Sequence, residues 1–575
     1  MFFNNDRYLK ELSFKGLEKR GLSDKENYIN RLNEELDVII NCGLSDFMLL
    51  VSYTCLWCKT NGIMLGDGRG SVGGSLVAYC LKITEIDPIK YELSFARFLN
   101  ETRMKTSLAD IDIDVPRHER QRILEFLREK FGINRTCQIV NRIYYTNKTA
   151  FKDLCRIYGI DFQTANQLTN LMVDDVDIYQ IPQIVEFFKS HEDIARLFPK
   201  IKGLVKAYGV HAGGFLISDK DIENYIGFLQ VNGTLVSCYD GRMCEDQGFL
   251  KQDILGVNTL TVVQNCLNLI GKTSFDFDYD LDDPKVYETI NKSCLGIFQL
   301  EGPAGVDYVS KMKPNCFEDI VAALALIRPG ARDSGDADEF LKVRFGGKNI
   351  KYDHPLLEPI LERTNGAILY QEQAMQISRV LAGFTDIEAD ILRKGIGKKL
   401  DYIFEEYKPK FINGCIDNGV SEKIANIVWD KIEKSSSYSF NKSHSVGYAL
   451  LTYKTAYLKT YYPNEFFIAM LMDEKKEEKR MEILNSIKKS GASLCNPDIN
   501  MSKNETYLID NKIYMGLNLI DKVSDKVSEA IINERKNGKF KSFDDFCARI
   551  PPRKCNKRVK QNLIWAGAFD NIPIR

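Results

Sequence analysis

Three aspartates alternate with isoleucines in the segment SLADIDIDVP, which spans residues 107–116. In a β-strand, successive side chains point to opposite faces, so Asp110, Asp112 and Asp114 would share one face of the strand. Residues two apart on a strand lie about 6.5–7 Å apart, and carboxylates at that spacing repel one another unless a cation neutralises them. Hard oxygen ligands of this kind suit Mg²⁺ or Ca²⁺. The spacing therefore indicates a candidate site for a divalent cation.

Two other interpretations of this segment stay open when it is taken alone. A calcium loop of the D-x-D-x-D-G type requires glycine where Val115 stands and a glutamate at the end of the loop, and the sequence has neither. A solvated edge strand could carry the same charges to prevent pairing with other chains. The choice between a cation site and a charged edge strand depends on the rest of the chain.

A glycine-rich loop lies about 40 residues before the aspartates. GDGRGSVGGS, residues 66–75, combines five glycines with Arg69, Ser71 and Ser75. Glycines let the backbone approach an anion closely, and a helix that begins there would direct N–H groups and its dipole at the anion. The lysine of a Walker loop is missing, and no well-formed strand precedes the loop as in a dinucleotide fingerprint. A phosphate-binding loop beside a carboxylate cluster is what metal-assisted nucleotidyl transfer requires.

The elements that would position these motifs follow a mostly helical α+β pattern. Apolar residues at helical spacing predict helices over residues 6–60, and an amphipathic helix follows the aspartates. Short strands or turns are predicted at GVHAGGFLIS and GFLKQDILGV. Residues 259–495 are mostly helical in pattern, and the hairpin TYLIDNKIYMG then precedes further helices.

Composition excludes several protein classes. The 575 residues are 44% hydrophobic and 27% charged, which is typical of soluble globular proteins. No uncharged apolar run approaches the roughly 20 residues of a membrane span, and the first residues do not resemble a signal peptide. Fifteen scattered cysteines favour a reducing compartment over a disulfide framework. The net charge is −1, but basic stretches at 393–399, 535–541 and 551–560 provide local sites for phosphate contacts.

Several long motifs closely resemble the bacterial replicative DNA polymerases of the C family, the polymerase III alpha subunits. The resemblance begins with residues 66–100 and continues in ADIDIDVPRHERQRILEFLREKFG, residues 109–132. Further motifs follow in the family's order: HAGGFLIS (211–218), LKQDILGVNTLTVV (250–263), IFQLEGPAGV (297–306), LIRPG (326–330), ILYQEQAMQI (368–377), LRKGIGKK (392–399) and FNKSHSVGYAL (440–450). The resemblance therefore spans nearly the whole chain.

The resemblance implies a fold and a domain order. The fold would be a polymerase-beta-like nucleotidyltransferase palm with helical thumb and fingers and a C-terminal helix-hairpin-helix region that binds duplex DNA. The expected domains are palm (1–142), thumb (143–204), palm again (205–258), fingers (259–495) and the helix-hairpin-helix region (496–575).

The resemblance also implies roles for individual residues. Asp110 and Asp112 match two metal ligands on the first catalytic strand, Asp253 matches a third carboxylate on a neighbouring strand, and together they would hold two Mg²⁺ ions. Asp114 matches a supporting position. The expected nucleotide-binding residues are Gly68, Arg69, Gly70, Ser71, Lys251, Arg328, Arg393, Lys394 and His444. The expected DNA-binding residues are Asn441, Lys442, Lys522, Lys526, Arg535 and Lys536. For the fingers residues, packing or helix capping is the alternative role.

Some positions depart from the family's pattern. The family usually has proline where this chain has Asp67 and Ala109. The extra anion at Asp67 would weaken nucleotide binding unless its side chain points away from the triphosphate. The stretch GLNLIDKVSDKVSEAII lacks the glycines that normally expose backbone N–H groups to DNA phosphate, so duplex binding there would depend more on basic side chains.

The largest departure concerns the regions that flank the resemblance. Family members usually begin with a PHP domain and continue past the helix-hairpin-helix region into clamp-binding, OB-fold and clamp-loader-binding segments. In this sequence the palm pattern starts almost at once, and the last residue is Arg575. We expect either a compact, phage-encoded polymerase or one whose other functions reside on separate polypeptides.

The implied activity is that of a DNA-templated, primer-dependent DNA polymerase in the bacterial cytoplasm, or in the host cytoplasm for a phage enzyme. Its expected partners are primer–template DNA, dNTPs, a sliding clamp, a helicase and a separate exonuclease, with no membrane. No D-x-E exonuclease signature is evident, so no intrinsic proofreading is expected. A template-independent nucleotidyltransferase would use the same carboxylates without the large region after residue 259. An inactive DNA-binding scaffold would have lost them.

Overall fold

The computed structural model describes residues 5–100, 110–172, 177–328, 330–331, 336–346, 350–398, 400, 402–436, 438–489, 493–510 and 512–573. The chain divides into two compact units. The larger unit joins Met1–Arg120 to Leu255–Arg575, and the smaller unit is Gln121–Ile254.

The main sheet has six strands. They are β1 (Asp112–Pro116), β2 (Thr136–Tyr144), β3 (Val205–Ile217), β4 (Phe228–Val231), β5 (Thr234–Ser237) and β6 (Leu250–Val257). Their spatial order is β1-β6-β3-β2-β5-β4, and β3 runs antiparallel to both β2 and β6. The sheet therefore places β6 next to β1, although they are far apart in the sequence.

Helices make up most of the remaining described structure. In chain order they are α1 (Asn5–Lys19), α2 (Glu26–Asn41), α3 (Ser45–Thr60), α4 (Leu76–Cys80), α5 (Arg120–Phe131), α6 (Asn147–Ile157), α7 (Phe162–Leu171), α8 (Pro182–Ser190), α9 (Glu192–Ile201), α10 (Gly241–Asp246), α11 (Asn258–Leu269), α12 (Pro284–Lys292), α13 (Pro303–Met312), α14 (Phe317–Leu326), α15 (Asp336–Arg344), α16 (Glu358–Leu361), α17 (Gln371–Ala382), α18 (Asp386–Lys398), α19 (Lys408–Asp417), α20 (Glu422–Ser435), α21 (Lys442–Tyr461), α22 (Pro463–Asp473), α23 (Glu477–Lys489), α24 (Asp525–Glu534), α25 (Phe543–Arg549) and α26 (Lys557–Trp565).

Helix α21 contributes side chains to two apolar clusters of the larger unit. It is 20 residues long, and it buries residues around its whole circumference rather than along one stripe. Val446, Leu450 and Tyr453 belong to the same apolar cluster as α14, whose ten residues include nine that are buried. A helix enclosed in this way can present side chains to several neighbouring elements at once.

The smaller unit combines most of the main sheet with a helical cluster. Thr146 begins α6 through a capping box with Thr149, which satisfies N–H groups at the first turn. Helices α6 to α9 then pack around Phe151, Phe188 and Phe198, all of which are buried. This cluster has its own apolar core, separate from that of the sheet.

The C-terminal part of the larger unit contains a second, three-stranded sheet. Its strands are β7 (Ser493–Cys495), β8 (Tyr507–Ile509) and β9 (Lys512–Tyr514), in the order β7-β9-β8. The helices α24, α25 and α26 bury Phe540, Phe546 and Phe569 in a common core. The predicted hairpin is confirmed, because β8 and β9 pair antiparallel.

The predicted mostly helical α+β fold is confirmed. The strand that the aspartates predicted begins at Asp112, with Asp110 two residues before it, and the expected first part at residues 107–109 lies outside the described residues. The strand predicted at GVHAGGFLIS is longer than expected: β3 has 13 residues because it pairs with two neighbours.

Among the described residues, no single helix is both long and apolar enough to cross a membrane. Within the described ranges, one pair of helices, α2 and α3, is long and apolar enough when taken together, but the two are bent by 114° relative to each other.

Candidate active site

Asp110, Asp112 and Asp253 converge, and we call them the acidic triad. Asp110 lies just before β1, Asp112 begins that strand, and Asp253 lies on the neighbouring strand β6. One carboxylate oxygen from each residue lies within 4.8 Å of the other two. Asp110 is exposed, whereas Asp253 is buried. No other group of three His, Cys, Asp or Glu ligands meets this criterion within the described ranges.

The surroundings of Asp253 fit a metal ligand. Its Oδ2 lies 2.9 Å from the Lys251 ammonium, which also contacts Glu245 at 3.1 Å. Its Oδ1 is buried and has no hydrogen-bond partner among the described residues. Gly214 is paired with Asp253 across β3 and β6, and a Cβ there would lie 3.4 Å from Oδ1 and 2.7 Å from the Ile139 side chain. A hard divalent cation would give the unpartnered oxygen a ligand bond and would also neutralise the repulsion among the three carboxylates of the triad.

Asp114 is neutralised by an arginine instead of joining the triad. Arg69 Nη1 lies 3.0 Å from Asp114 Oδ1, and Arg69 Nε lies 3.5 Å from Asp112 Oδ2. Burial raises the pKa of Asp114, and the Arg69 guanidinium opposes that rise. The guanidinium also lies 5.9 Å from the centre of the Tyr448 ring. Arg69 thus links the glycine loop to the strand that carries Asp112.

The glycine loop is tightly packed between β1 and α21. The Gly66 N–H donates to the Asp114 carbonyl at 2.9 Å, and a Cβ on Gly66 would lie 2.8 Å from Asp114 Cβ. Gly68 has a φ of +133°, which favours glycine. Its carbonyl oxygen would lie 2.0 Å from a Cβ on Gly447 of α21. Further along the loop, the carbonyl of Ser71 accepts a hydrogen bond from the Gly74 N–H at 3.0 Å.

The first turn of α21 binds both sides of Gly70. The Ser443 hydroxyl donates to the Gly70 carbonyl at 2.7 Å, and the Gly70 N–H donates to His444 Nδ1 at 3.0 Å. Since Nδ1 accepts, the neutral ring carries its proton on Nε2. Burial, reinforced by the charges of Arg69 and Arg328, lowers the pKa of His444 to about 4. The structure therefore brings a predicted nucleotide-binding histidine to the predicted nucleotide-binding loop.

The helix after the loop does not offer its N–H groups to a ligand. Glu35, which is fully buried, accepts from the Val77 N–H at 3.1 Å and from the Ser75 hydroxyl at 2.9 Å. Ser75 in turn accepts from the Ala78 N–H at 3.2 Å. Arg31 holds the other carboxylate oxygen of Glu35 at 2.7 Å. The sequence-based prediction that this helix end directs N–H groups at a phosphate is wrong, because an internal carboxylate already binds there.

The Asp67 side chain is buried, and it pairs with Lys454. The extra anion in the loop is therefore neutralised internally, as the sequence required if nucleotide binding was to be preserved.

Arg393 and Lys394 meet at a buried aspartate on α18. Arg393 contacts Asp390 Oδ1 at 3.0 and 2.8 Å and donates to Gln371 Oε1 at 3.2 Å. Lys394 lies 2.8 Å from Asp390 Oδ2. Both cations border a cavity of about 200 Å³ whose other polar lining includes Lys398 and three serines.

The remaining predicted fingers residues pack around the start of α21. The Arg328 guanidinium lies 4.2 Å from the centre of the Phe440 ring. Asn441 caps α21 by accepting from the His444 N–H at 3.2 Å. Burial lowers the pKa of Lys442, whose ammonium lies 6.0 Å from the centre of the Tyr370 ring.

The predicted duplex-binding residues lie on and beside α24. Lys522, Lys526 and Lys536 are exposed, and Lys522 lies 3.6 Å from Asp521. Arg535 is partly buried and donates to the Ile499 carbonyl at 3.3 Å.

Sequence reasoning did not single out Glu35, Ser443, Gly447 or Lys454. Ser443 and Gly447 fall inside the motif FNKSHSVGYAL, so the motif itself was a usable signal. No local pattern pairs Lys454 with Asp67, which is 387 residues earlier, or Glu35 with the helix that it caps.

Comparisons with known families agree with this geometry. The family described as "Bacterial DNA polymerase III alpha NTPase domain" matches residues 7–256. "Bacterial DNA polymerase III alpha subunit finger domain" matches residues 259–419, and "Helix-hairpin-helix motif" matches residues 491–575.

Curated relatives cover nearly the whole chain. "DNA polymerase III subunit alpha" of Aquifex aeolicus is 38% identical over 98% of this chain and 52% of its own length. The proteins of the same name from Campylobacter jejuni and Escherichia coli O6:H1 are 36% and 34% identical, each over 99% of this chain, and the matches cover 50% and 52% of their lengths. The chain thus spans about half the length of the curated relatives it matches. The matched families, in their order along the chain, show that it belongs to the DNA polymerase III alpha subunit family.

Proposed function

We propose that this chain is a DNA-templated, primer-dependent DNA polymerase that adds dNTPs to a primer 3′-hydroxyl and releases pyrophosphate. The observation that supports this most directly is the convergence of Asp110, Asp112 and Asp253 within 4.8 Å, beside a loop that carries Arg69. Nucleotidyl transfer forms a bond between the 3′-oxygen and the α-phosphorus and breaks the bond from the α-phosphorus to the pyrophosphate oxygen. Both changes concentrate negative charge at one place.

The acidic triad would hold two Mg²⁺ ions. When bound, these ions lower the pKa of the 3′-hydroxyl and neutralise charge on the triphosphate and the departing pyrophosphate. Lys251 holds Asp253 Oδ2 and so leaves Oδ1 for the metal. Arg69 offsets the charges of Asp112 and Asp114 and supplies a cation at the edge of the site. In this proposal the protein contributes mainly positioning and charge stabilisation.

The substrate contacts follow from the same proposal. Nucleotide binding is assigned to the loop Gly68–Ser71 and to Lys251, Arg328, Arg393, Lys394 and His444. DNA binding is assigned to Asn441, Lys442, Lys522, Lys526, Arg535 and Lys536. The division into palm, thumb, fingers and duplex-binding region, the bacterial cytoplasmic location, and the clamp, helicase and exonuclease partners stay predictions.

The test is a primer–template extension assay with Mg²⁺ and one dNTP at a time. Incorporation of only the template-matched nucleotide supports the proposal. Incorporation regardless of the template would indicate a template-independent nucleotidyltransferase, and binding of DNA without any incorporation would indicate a scaffold subunit. Removal of Mg²⁺ with a chelator should abolish extension and leave the fold intact by circular dichroism.

A further inference from the structure

A buried ion pair joins the glycine loop to the middle of α21. Asp67 is 3% exposed and Lys454 is 6% exposed. The Lys454 ammonium donates a hydrogen bond to Asp67 Oδ1, whereas Asp67 Oδ2 is buried without a partner in the described part of the chain. A buried ion pair adds little net stability because the loss of hydration offsets the attraction, and removal of one partner leaves an uncompensated buried charge. The pair therefore calls for an explanation other than stability.

The residues around the pair fix its position. The Glu85 N–H donates to the Asp67 carbonyl at 2.8 Å, so both the main chain and the side chain of Asp67 are held. The Lys454 ammonium lies 5.2 Å from the centre of the Phe275 ring, on which it can make a cation–π contact. Neither charged group lies at the surface, and neither is a member of the acidic triad.

The pair adds to the hydrogen bonds that the first turn of the same helix makes to the loop. Ser443 and His444 hold Gly70 at the first turn of α21, and Lys454 holds Asp67 about three turns further along. Arg69 lies between these two fixed points. Its backbone position is therefore set by α21 on both sides, while its guanidinium reaches the carboxylates that follow on β1.

We propose that Asp67 and Lys454 are a positioning pair for the nucleotide: they fix the glycine loop so that Arg69 is directed at the triphosphate of the incoming dNTP. Neither residue touches the substrate in this proposal, and both act through the loop. This inference rests on the proposed polymerase function. It assigns to α21 the task of shaping the loop before the nucleotide arrives.

The test compares Asp67→Asn, Lys454→Met and the double variant with Lys459→Met as a matched control. Lys459 is 8% exposed on the same helix, but its ammonium binds the carbonyls of Ser293 and Leu295, away from the loop. Four quantities are measured for each protein: the thermal midpoint, amide hydrogen exchange over residues 66–71, and both kcat and KM for a matched dNTP on primer–template.

Each single variant should have a lower thermal midpoint, faster loop exchange and a KM for dNTP raised about tenfold, with a smaller change in kcat. The double variant should regain most of the thermal midpoint, because no unpaired charge remains, but it should keep the fast exchange and the high KM. Lys459→Met should lose stability without a change in KM or loop exchange.

Two results would overturn the proposal. In the first, the double variant regains a normal KM and normal loop exchange together with its stability, which would make the pair purely structural. In the second, the single variants leave loop exchange unchanged. A wild-type protein without template-directed incorporation would refute the proposed polymerase function instead, and hydrogen exchange would still decide whether the pair fixes the loop.

Discussion

Asp253 uses its two carboxylate oxygens differently. Lys251 holds Oδ2, whereas the buried Oδ1 has no partner among the described residues. Because Gly214 has no side chain, no Cβ fills the space beside Oδ1. A lysine beside a metal ligand lowers the cost of burying that carboxylate before the metal binds. The side chain is therefore held in place by protein contacts on one oxygen and prepared for a cation on the other.

The Asp112→Asn substitution should reduce the rate of primer extension by several orders of magnitude while the fold is retained. The reason is that the amide cannot replace an anionic oxygen ligand of Mg²⁺. Mg²⁺ at about a hundred times its Kd should raise the free energy of unfolding of the wild type by about 2.7 kcal/mol. The variant should lose this gain, as measured by denaturation with and without Mg²⁺.

The control for this prediction is Asp276→Asn. Asp276 is exposed and paired with Lys272 at 2.9 Å, outside the acidic triad. The primer-extension activity of the Asp276→Asn variant, and the gain in its free energy of unfolding when Mg²⁺ is added, should match those of the wild type. Near-normal extension by Asp112→Asn would contradict the assignment of the triad.

His444 should cause the free energy of unfolding to decrease as the solution becomes acidic. The pKa of His444 is lowered to about 4 in the folded chain, from about 6.5 in an unfolded one. Between these values the unfolded chain binds a proton that the folded chain excludes, so stability falls as the pH decreases from about 6.5 to 4. His444→Gln, which can still accept from the Gly70 N–H, should lessen this fall. Urea denaturation at several pH values measures it.

The exposed His118 provides the comparison, since its side chain is 45% exposed. His118→Gln should leave the acid slope of stability as it is in the wild type. An equal slope in wild type and His444→Gln would show that His444 is not held neutral by its burial.

At the scale of elements, the contact between the glycine loop and α21 depends on the absence of side chains on both partners. The carbonyl of Gly68 lies close to α21 at Gly447, which has no Cβ. In the same way, Gly66 lies close to Asp114 of β1, where a Cβ on Gly66 would clash. A backbone carbonyl cannot move aside as a flexible side chain would. The close approaches therefore restrict the backbone of the glycine loop to one position between β1 and α21.

Gly447→Ala should destabilise the protein by about 1–3 kcal/mol, because its Cβ would lie 2.0 Å from the Gly68 oxygen and force the loop or helix to shift. Gly397→Ala is the matched helical control, since nothing lies within 4 Å of its Cβ. It should be neutral or stabilising by up to about 1 kcal/mol. Chemical denaturation of both variants provides the measurement, and equal effects would contradict the close approach.

The sequence predicted the elements of the site better than the contacts that fix them. Alternation of aspartate and isoleucine was enough to predict β1, because a period of two is a local property of the chain. Asp253 came only from the resemblance, since no local pattern shows that β6 lies beside β1. The cap that Glu35 provides was missed for a related reason: which polar group is buried against which helix end is decided by packing between distant segments.

At the scale of the whole molecule, charge is distributed unevenly although the total is −1. Within the larger unit, α24 and the segment beside it present Lys522, Lys526 and Lys536 to solvent. Exposed lysines can neutralise phosphates and release counterions, which makes binding to nucleic acid depend steeply on salt. A near-neutral total is therefore compatible with the proposed binding of DNA.

Substitution of Lys522, Lys526 or Lys536 by alanine should weaken duplex binding and reduce the slope of log K against log salt by about 1 for each DNA phosphate that is no longer neutralised. Fluorescence anisotropy with labelled primer–template at several salt concentrations measures this. Lys10→Ala is the control, because Lys10 is exposed on α1 and pairs with Asp37 at 3.3 Å. A slope that is unchanged in all three variants would exclude this surface from DNA binding.

The hydrogen bonds that His444 and Ser443 make to the N–H and the carbonyl of Gly70 have a consequence for how the proposed triphosphate substrate could be held. Because the N–H and the carbonyl of Gly70 are both hydrogen-bonded inside the fold, Gly70 does not contribute to an amide nest of the kind found in nucleoside-triphosphatase loops. Selectivity for a polyanion should then come from full charges, above all guanidinium and ammonium groups. Affinity at this site should accordingly track ionic strength and the charge state of the ligand more closely than its shape.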